Sequence, residues 1–103
     1  MGEFRTVAQV ADVPENALRG VEIDGKKIVL AHVDGTVYAL EDRCSHEEFA
    51  LSEGELTGNE VTCILHGARF DLASGAPRAL PAVKNVPTYE CRVEGDEIQV
   101  KLD

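Results

Sequence analysis

The sequence has no apolar run longer than the four residues Ile28-Val29-Leu30-Ala31, far short of the ~18–20 residues a helix needs to cross a bilayer. The start, Met1-Gly2-Glu3-Phe4-Arg5, lacks the basic segment and apolar stretch of a signal peptide, so a cytoplasmic location is expected. Basic residues are scarce. Ten Lys and Arg stand against 19 Asp and Glu, a net charge of -9, which argues against nucleic acid or an anionic membrane as partner and favours a protein with a basic docking patch. Cysteines number three, an odd count that cannot pair fully within one chain. In a reducing compartment such thiols bind metal or lie buried. Histidines also number three, and two of them sit beside cysteines.

What is present fits one globular domain spanning residues 1–103, with 44% hydrophobic and 28% charged residues and no repeat or low-complexity tract. The dominant pattern is short alternating runs broken by Gly-containing turns, so the fold class is all-β with antiparallel sheets. Asp24-Gly25 and Asp34-Gly35 each divide two such runs, predicting a three-strand meander that includes Ile28 to Val33 and Thr36 to Leu40. Phe4 to Val10 reads as a further strand. Tyr89, Cys91 and Val93 should share one strand face, followed by a turn at Gly95-Asp96 and a strand carrying Ile98, Val100 and Leu102. Pro14 to Leu18 offers the best helical turn, a weak one.

The middle of the chain reads differently. From Glu41 to Pro81 alternation lapses, and Gly54, Gly58, Gly67, Gly75, Pro77 and Pro81 interrupt the chain. The expectation is a loop-rich insertion, residues 42–81, in a basal β scaffold formed by residues 1–41 and 82–103. A loop-rich segment of about forty residues is hard to stabilise in so small a domain without a ligand.

That segment contains Cys44-Ser45-His46 and, sixteen residues on, Cys63-Ile64-Leu65-His66. Thiolate and imidazole both donate lone pairs to iron or zinc. Zinc suits a Cys2His2 set, yet structural zinc ligands are usually spaced by two to four residues, and Cys44-Ser45-His46 is tighter. The strain vanishes if the cysteine and histidine of each loop ligate different metal ions. Blue copper usually wants a weak axial methionine, and Met1 is the only methionine.

Cys-x-His, sixteen residues and Cys-x2-His together resemble the Rieske iron–sulfur proteins. The likeness continues through His66-Gly67 and the segment from Gly75 to Pro81, and the flanking strands also fit that fold. The resemblance implies one 2Fe–2S cluster, with Cys44 and Cys63 on one iron and His46 and His66 on the other. In such centres two histidines replace two cysteines on one iron, which raises the potential, because a neutral ligand replaces an anionic one.

Departures from the family pattern narrow the class. High-potential Rieske proteins carry a disulfide between the two loops, at positions occupied here by Phe49 and Leu65. They also place a serine and a tyrosine where this chain has Ala68 and Phe70, so two hydrogen-bond donors to the cluster are absent. A potential of about −150 mV, the low end of the Rieske range, is expected. A free-standing protein of this kind resembles the ferredoxin component of bacterial aromatic-ring dioxygenase systems. The resemblance implies a monomeric one-electron carrier that docks transiently with a flavin-containing reductase and a terminal oxygenase. Only His32 remains beyond the two candidate ligand histidines, and no Gly-rich dinucleotide motif is present. The expectation is therefore a shuttle and not an enzyme.

Other readings compete at some positions. Cys91 is expected to be a buried strand thiol, and His32 an ordinary structural histidine. Phe49, Leu51, Leu65 and Phe70 are expected to pack around the cluster, with Pro81 in a third loop beside it. Glu41, Asp42, Glu47, Glu48, Glu53 and Glu55 form an acidic rim with Arg43 among them. That rim is either a solvated face or a steering surface. A Rieske subunit of another reductase, a redox sensor or a structural zinc module are the alternative functions. Metal content separates the last, since a 2Fe–2S protein is red-brown and a zinc module colourless.

Overall fold

The fold follows from strands whose two faces bury different residues. A computed structural model describes residues 3–42, 50–63, 69–79 and 85–102. Strands β1 (Glu3–Gln9), β2 (Ala17–Ile23), β3 (Lys26–Val33) and β4 (Thr36–Glu41) are followed by the short strands β5 (Glu55–Thr57), β6 (Glu60–Thr62), β7 (Arg69–Asp71) and β8 (Pro77–Ala79). The chain ends with β9 (Thr88–Tyr89), β10 (Cys91–Glu94) and β11 (Glu97–Leu102). They form three antiparallel sheets, ordered β1-β11-β10, β2-β3-β4-β9 and β5-β6-β7-β8. The expected all-β class holds, and the described residues contain no α-helix.

The unbroken apolar run in β3 has a structural reason. Successive strand residues point to opposite faces, and both faces of this strand are covered. Ile28 and Leu30 join Val13, Val37, Ala39, Ile98 and Val100 in one core, under the β1-β11-β10 sheet. Val29, Ala31 and Val33 join Leu40, Leu51, Val61, Cys63, Phe70, Leu72 and Val86 in a second core, under the β5-β6-β7-β8 sheet. The meander is therefore the middle layer between the two other sheets. Both of its hairpins turn on Asp-Gly. Asp24 and Gly25 have φ of 52° and 78°, and Asp34 and Gly35 have 51° and 77°, the left-handed pair that a two-residue type I′ turn requires. Arg5 Nη1 reaches Asp24 Oδ2 at 2.9 Å and ties β1 to the first hairpin.

Four expectations need correction. The helical turn falls at Val10–Asp12 and not at Pro14 to Leu18, so strand β1 stops at Gln9, one residue before Val10. Gln9 N–H donates to Asp12 Oδ2 at 3.1 Å, and Asn16 adopts a left-handed φ of 65° that ends any helix. The strand expected to carry Tyr89, Cys91 and Val93 on one face breaks at Glu90, where the chain changes sheets. Tyr89 pairs with Ala39 of β4, whereas Cys91 pairs with Val100 of β11. Tyr89 and Cys91 pack on the core, but Val93 is 44% exposed. Finally, the middle of the chain is not only loops, because its described residues hold a four-stranded sheet of three-residue strands.

Candidate metal centre

Of the four candidate ligands, Cys63 belongs to the described residues. Cys44, His46 and His66 lie outside them, as do Phe49, Leu65, Gly67, Ala68 and Pro81. Thr62 and Arg69 are antiparallel partners, so Cys63 begins the connection of the β6–β7 hairpin that also contains residues 64–68. Its side chain is fully buried and unpaired with another cysteine. Around it in the core are Leu51, Val61, Phe70, Leu72 and Val86, all apolar.

Phe70 is paired with Val61 and is itself fully buried. Phe70 and Leu51 thus pack in the same core as the Cys63 thiol. A free thiol in an apolar setting at the mouth of a hairpin is chemically suited to ligate a metal, since thiolate sulfur donates a lone pair to iron. Among the described residues no group of three or more His, Cys, Asp or Glu side chains is arranged to hold a metal ion.

The stretches bordering Cys63 are tied down by side chains that sequence reading gave no role or a different one. Asp42, expected in the acidic rim, has both carboxylate oxygens engaged. Ser52 N–H donates to Oδ1 at 2.7 Å and the Ser52 hydroxyl to Oδ2 at 2.7 Å. Glu53 and Glu55 of the same rim are exposed, Glu41 is half-buried, and Arg43, Glu47 and Glu48 lie outside the described residues. Asp71 closes the β7–β8 turn by accepting from Ser74 N–H and from the Ser74 hydroxyl, each at 2.9 Å. These bonds, the backbone one first, hold its carboxyl below the usual range, and Arg78 at 3.5 Å assists. Gly75 carbonyl then accepts from Val86 N–H at 2.8 Å, joining that turn to the chain after residues 80–84. No sequence signal marks the Asp42–Ser52 pair. The Asp71–Ser74 pair matches a short Asx-type turn that a closer reading of Asp71-Leu72-Ala73-Ser74-Gly75 would find.

The remaining candidates are placed away from ligand chemistry. Burial pushes the Cys91 thiol up to about 11, so it stays protonated at neutral pH. It is half-buried, less enclosed than expected. His32 Nδ1 lies 2.8 Å from Val13 carbonyl oxygen, and Nε2 lies 3.5 Å from Glu15 Oε1. It ties β3 to the segment before β2.

The described residues thus define a small all-β domain of three antiparallel sheets with a buried, unpaired thiol at a hairpin mouth. Comparison gives that class its family. Residues 3–90 match the Rieske [2Fe-2S] domain, and the chain belongs to that family, so its cofactor is an iron–sulfur cluster. The ferredoxin component of the naphthalene 1,2-dioxygenase system of Pseudomonas aeruginosa is 35% identical over 91 residues, covering 88% of each chain. The ferredoxin of carbazole 1,9a-dioxygenase from Nocardioides aromaticivorans IC177 superposes with a TM-score of 0.90 at 34% identity, over 94% of this chain and 95% of that one. A chain from a complex of reduced oxygenase and oxidized ferredoxin in carbazole 1,9a-dioxygenase gives 0.89 at 29% identity, over 95% and 92%.

Proposed function

We propose that the chain is a low-potential Rieske-type ferredoxin that carries one electron from a flavin-containing reductase to a terminal oxygenase. The observation that carries this reading is the near end-to-end match to ferredoxin components, which are separate carrier proteins and not catalytic subunits. In this reading Cys44 and Cys63 hold one iron, and His46 and His66 the other. The bound cluster supplies reversible storage of a single electron. The chain's own residues do the rest. The apolar side chains packed with Cys63, Phe70 and Leu51 among them, would exclude water from a group bound there, which would favour its less charged oxidation state. Phe70 contributes apolar bulk and no hydroxyl, and Ala68 likewise offers no side-chain donor, which supports placement at the low end of the Rieske range. Phe49 and Leu65 stand where high-potential relatives have cysteines, so no disulfide can join these two positions.

The reading assigns residues 42–81 to the cluster-binding part and residues 1–41 with 82–103 to the base. It includes a monomeric cytoplasmic protein, no nucleic-acid or membrane partner, and an acidic rim that is either a solvated face or a surface that steers partners. Docking through exposed acids slows electron transfer as salt rises, because ions screen their field beyond ~10 Å at 0.1 M. Analysis of the purified protein for two irons and two sulfides per chain tests the cofactor, and colourless protein with one zinc would reject it. Replacing His66→Cys should change the visible and EPR spectra of the loaded protein. An unchanged spectrum removes His66 from the ligand set. Reduction by a flavin reductase, coupled to oxygenase turnover, tests the carrier role.

A further inference from the structure

The one-turn 3₁₀ helix Leu51–Glu53 begins, like every helix, with N–H groups that have no partner inside it. Its N-cap is Ala50, whose methyl group cannot accept a hydrogen bond. The acceptor comes instead from Asp42, ten residues upstream, which takes the Ser52 N–H on one carboxylate oxygen and the Ser52 hydroxyl on the other, each at 2.7 Å. Asp42 is itself fixed to the scaffold, since its N–H donates to Lys27 carbonyl at 2.9 Å. Gly20 of β2 lies against the pair. A Cβ there would come within 2.8 Å of both Asp42 Oδ2 and Ser52 Oγ.

The other end of the helical turn touches Thr62, the last residue of β6, which leads into the second candidate loop. Gly54 N–H donates to Leu51 carbonyl at 2.9 Å. A Cβ on Gly54 would sit 1.9 Å from Thr62 carbonyl oxygen, so only glycine allows this approach to the residue before Cys63. Leu51 and Cys63 then meet in one buried core. Contact therefore runs without a gap from Asp42, two residues before Cys44, through Ser52 and Gly54 to Thr62, next to Cys63.

We propose that Asp42, Ser52 and Gly54 are positioning residues that set the separation of the two ligand-bearing stretches, 43–49 and 63–68. The proposal rests on the ligand assignment given above. A cluster ligated from both stretches needs their bases at one spacing, and groups that orient ligands tune the metal they hold. The carboxylate acts here by its shape as a two-point acceptor. Asparagine keeps that shape, because its oxygen accepts from Ser52 N–H and its amide donates to Ser52 Oγ.

The test uses the full iron-loaded chain with Asp42→Ala, Asp42→Asn, Ser52→Ala and Gly54→Ala, and Val100→Ala in the other core as a control for lost stability. The readouts are EPR g-values of the reduced protein, the midpoint potential, and the rate of iron loss to a ferrous chelator. Asp42→Ala and Gly54→Ala should shift the g-values and speed iron loss about 10-fold, Ser52→Ala less, and Asp42→Asn by no more than about twofold. Val100→Ala should lower the thermal midpoint and leave the g-values unchanged. The proposal is overturned if Asp42→Ala and Ser52→Ala keep the parent g-values and iron-loss rate, or if Val100→Ala reproduces their effects. Should Asp42→Ala fail to accumulate, Ser52→Ala against Asp42→Asn decides by the same criteria. If the unsubstituted protein shows no two-histidine EPR signal, the ligand assignment falls and this proposal with it. If it shows that signal and the variants are silent, only the positioning role is lost.

Discussion

The middle sheet β2-β3-β4-β9 and the small sheet β5-β6-β7-β8 share a hydrophobic core, yet they are held by different means. The middle sheet has strands of up to eight residues, turns that suit Asp-Gly, and burial on both faces of β3. The small sheet has strands of three residues each, one buried face, and an outward face of charges such as Arg69 and Glu60, 3.5 Å apart. Exposed pairs of that kind contribute ~0–1 kcal/mol. Beyond its backbone ladder and the burial of Val61 and Phe70, the small sheet is bordered by side-chain ties, Asp71 with Ser74 at its β7–β8 turn and Asp42 with Ser52 ahead of β5. One region buries both faces of its central strand; the other buries one face and has shorter strands.

Removing the iron should expose this difference most. Amide exchange in β5–β8 should speed by about 100-fold, while β3 changes little, because a bound metal stabilises the elements that ligate it. Equal loss in both sheets would erase the distinction. Core truncations come next. Phe70→Ala should cost about 3–5 kcal/mol and Leu30→Ala about 2–5 kcal/mol in denaturant unfolding, but only Phe70→Ala should also move the cluster's midpoint potential. Matching shifts from both variants would mean that the two cores do not differ in their relation to the site.

Asp71→Asn should lose about 1 kcal/mol at neutral pH through its weakened turn hydrogen bonds. The folded state depresses the Asp71 carboxyl, so its contribution is complete above the unfolded value and lost as pH falls. Stability curves of parent and variant should therefore converge below about pH 4. The effect confined to alkaline pH, and absent at neutral pH, belongs to Cys91→Ala. The fold raises this thiol from 9.0 to about 11, so between those values the unfolded chain releases a proton that the folded one retains. The parent should lose stability across that window as pH rises, and the variant should show a flatter curve with an unchanged cluster spectrum.

The middle layer was legible because its signals are local. Asp24-Gly25 and Asp34-Gly35 name their own turns, and alternation in Thr36 to Leu40 assigns Val37 and Ala39 to one core and Leu40 to the other. Three-residue strands such as Glu60–Thr62 are too short to show a period, so the small sheet read as loop. The break at Glu90 was hidden for a similar reason, since alternation does not reveal which sheet a strand joins. In the site, chemistry made Cys63 legible as a ligand candidate and its apolar surroundings expected. Ser52 was not legible, because nothing near it in sequence marks a serine whose partner lies ten residues away.

The most direct test of the low-potential ferredoxin reading is a potentiometric titration of the iron-loaded protein followed by EPR. A one-electron midpoint near about −150 mV with a two-histidine 2Fe–2S signal is the predicted result. A midpoint above zero would contradict it.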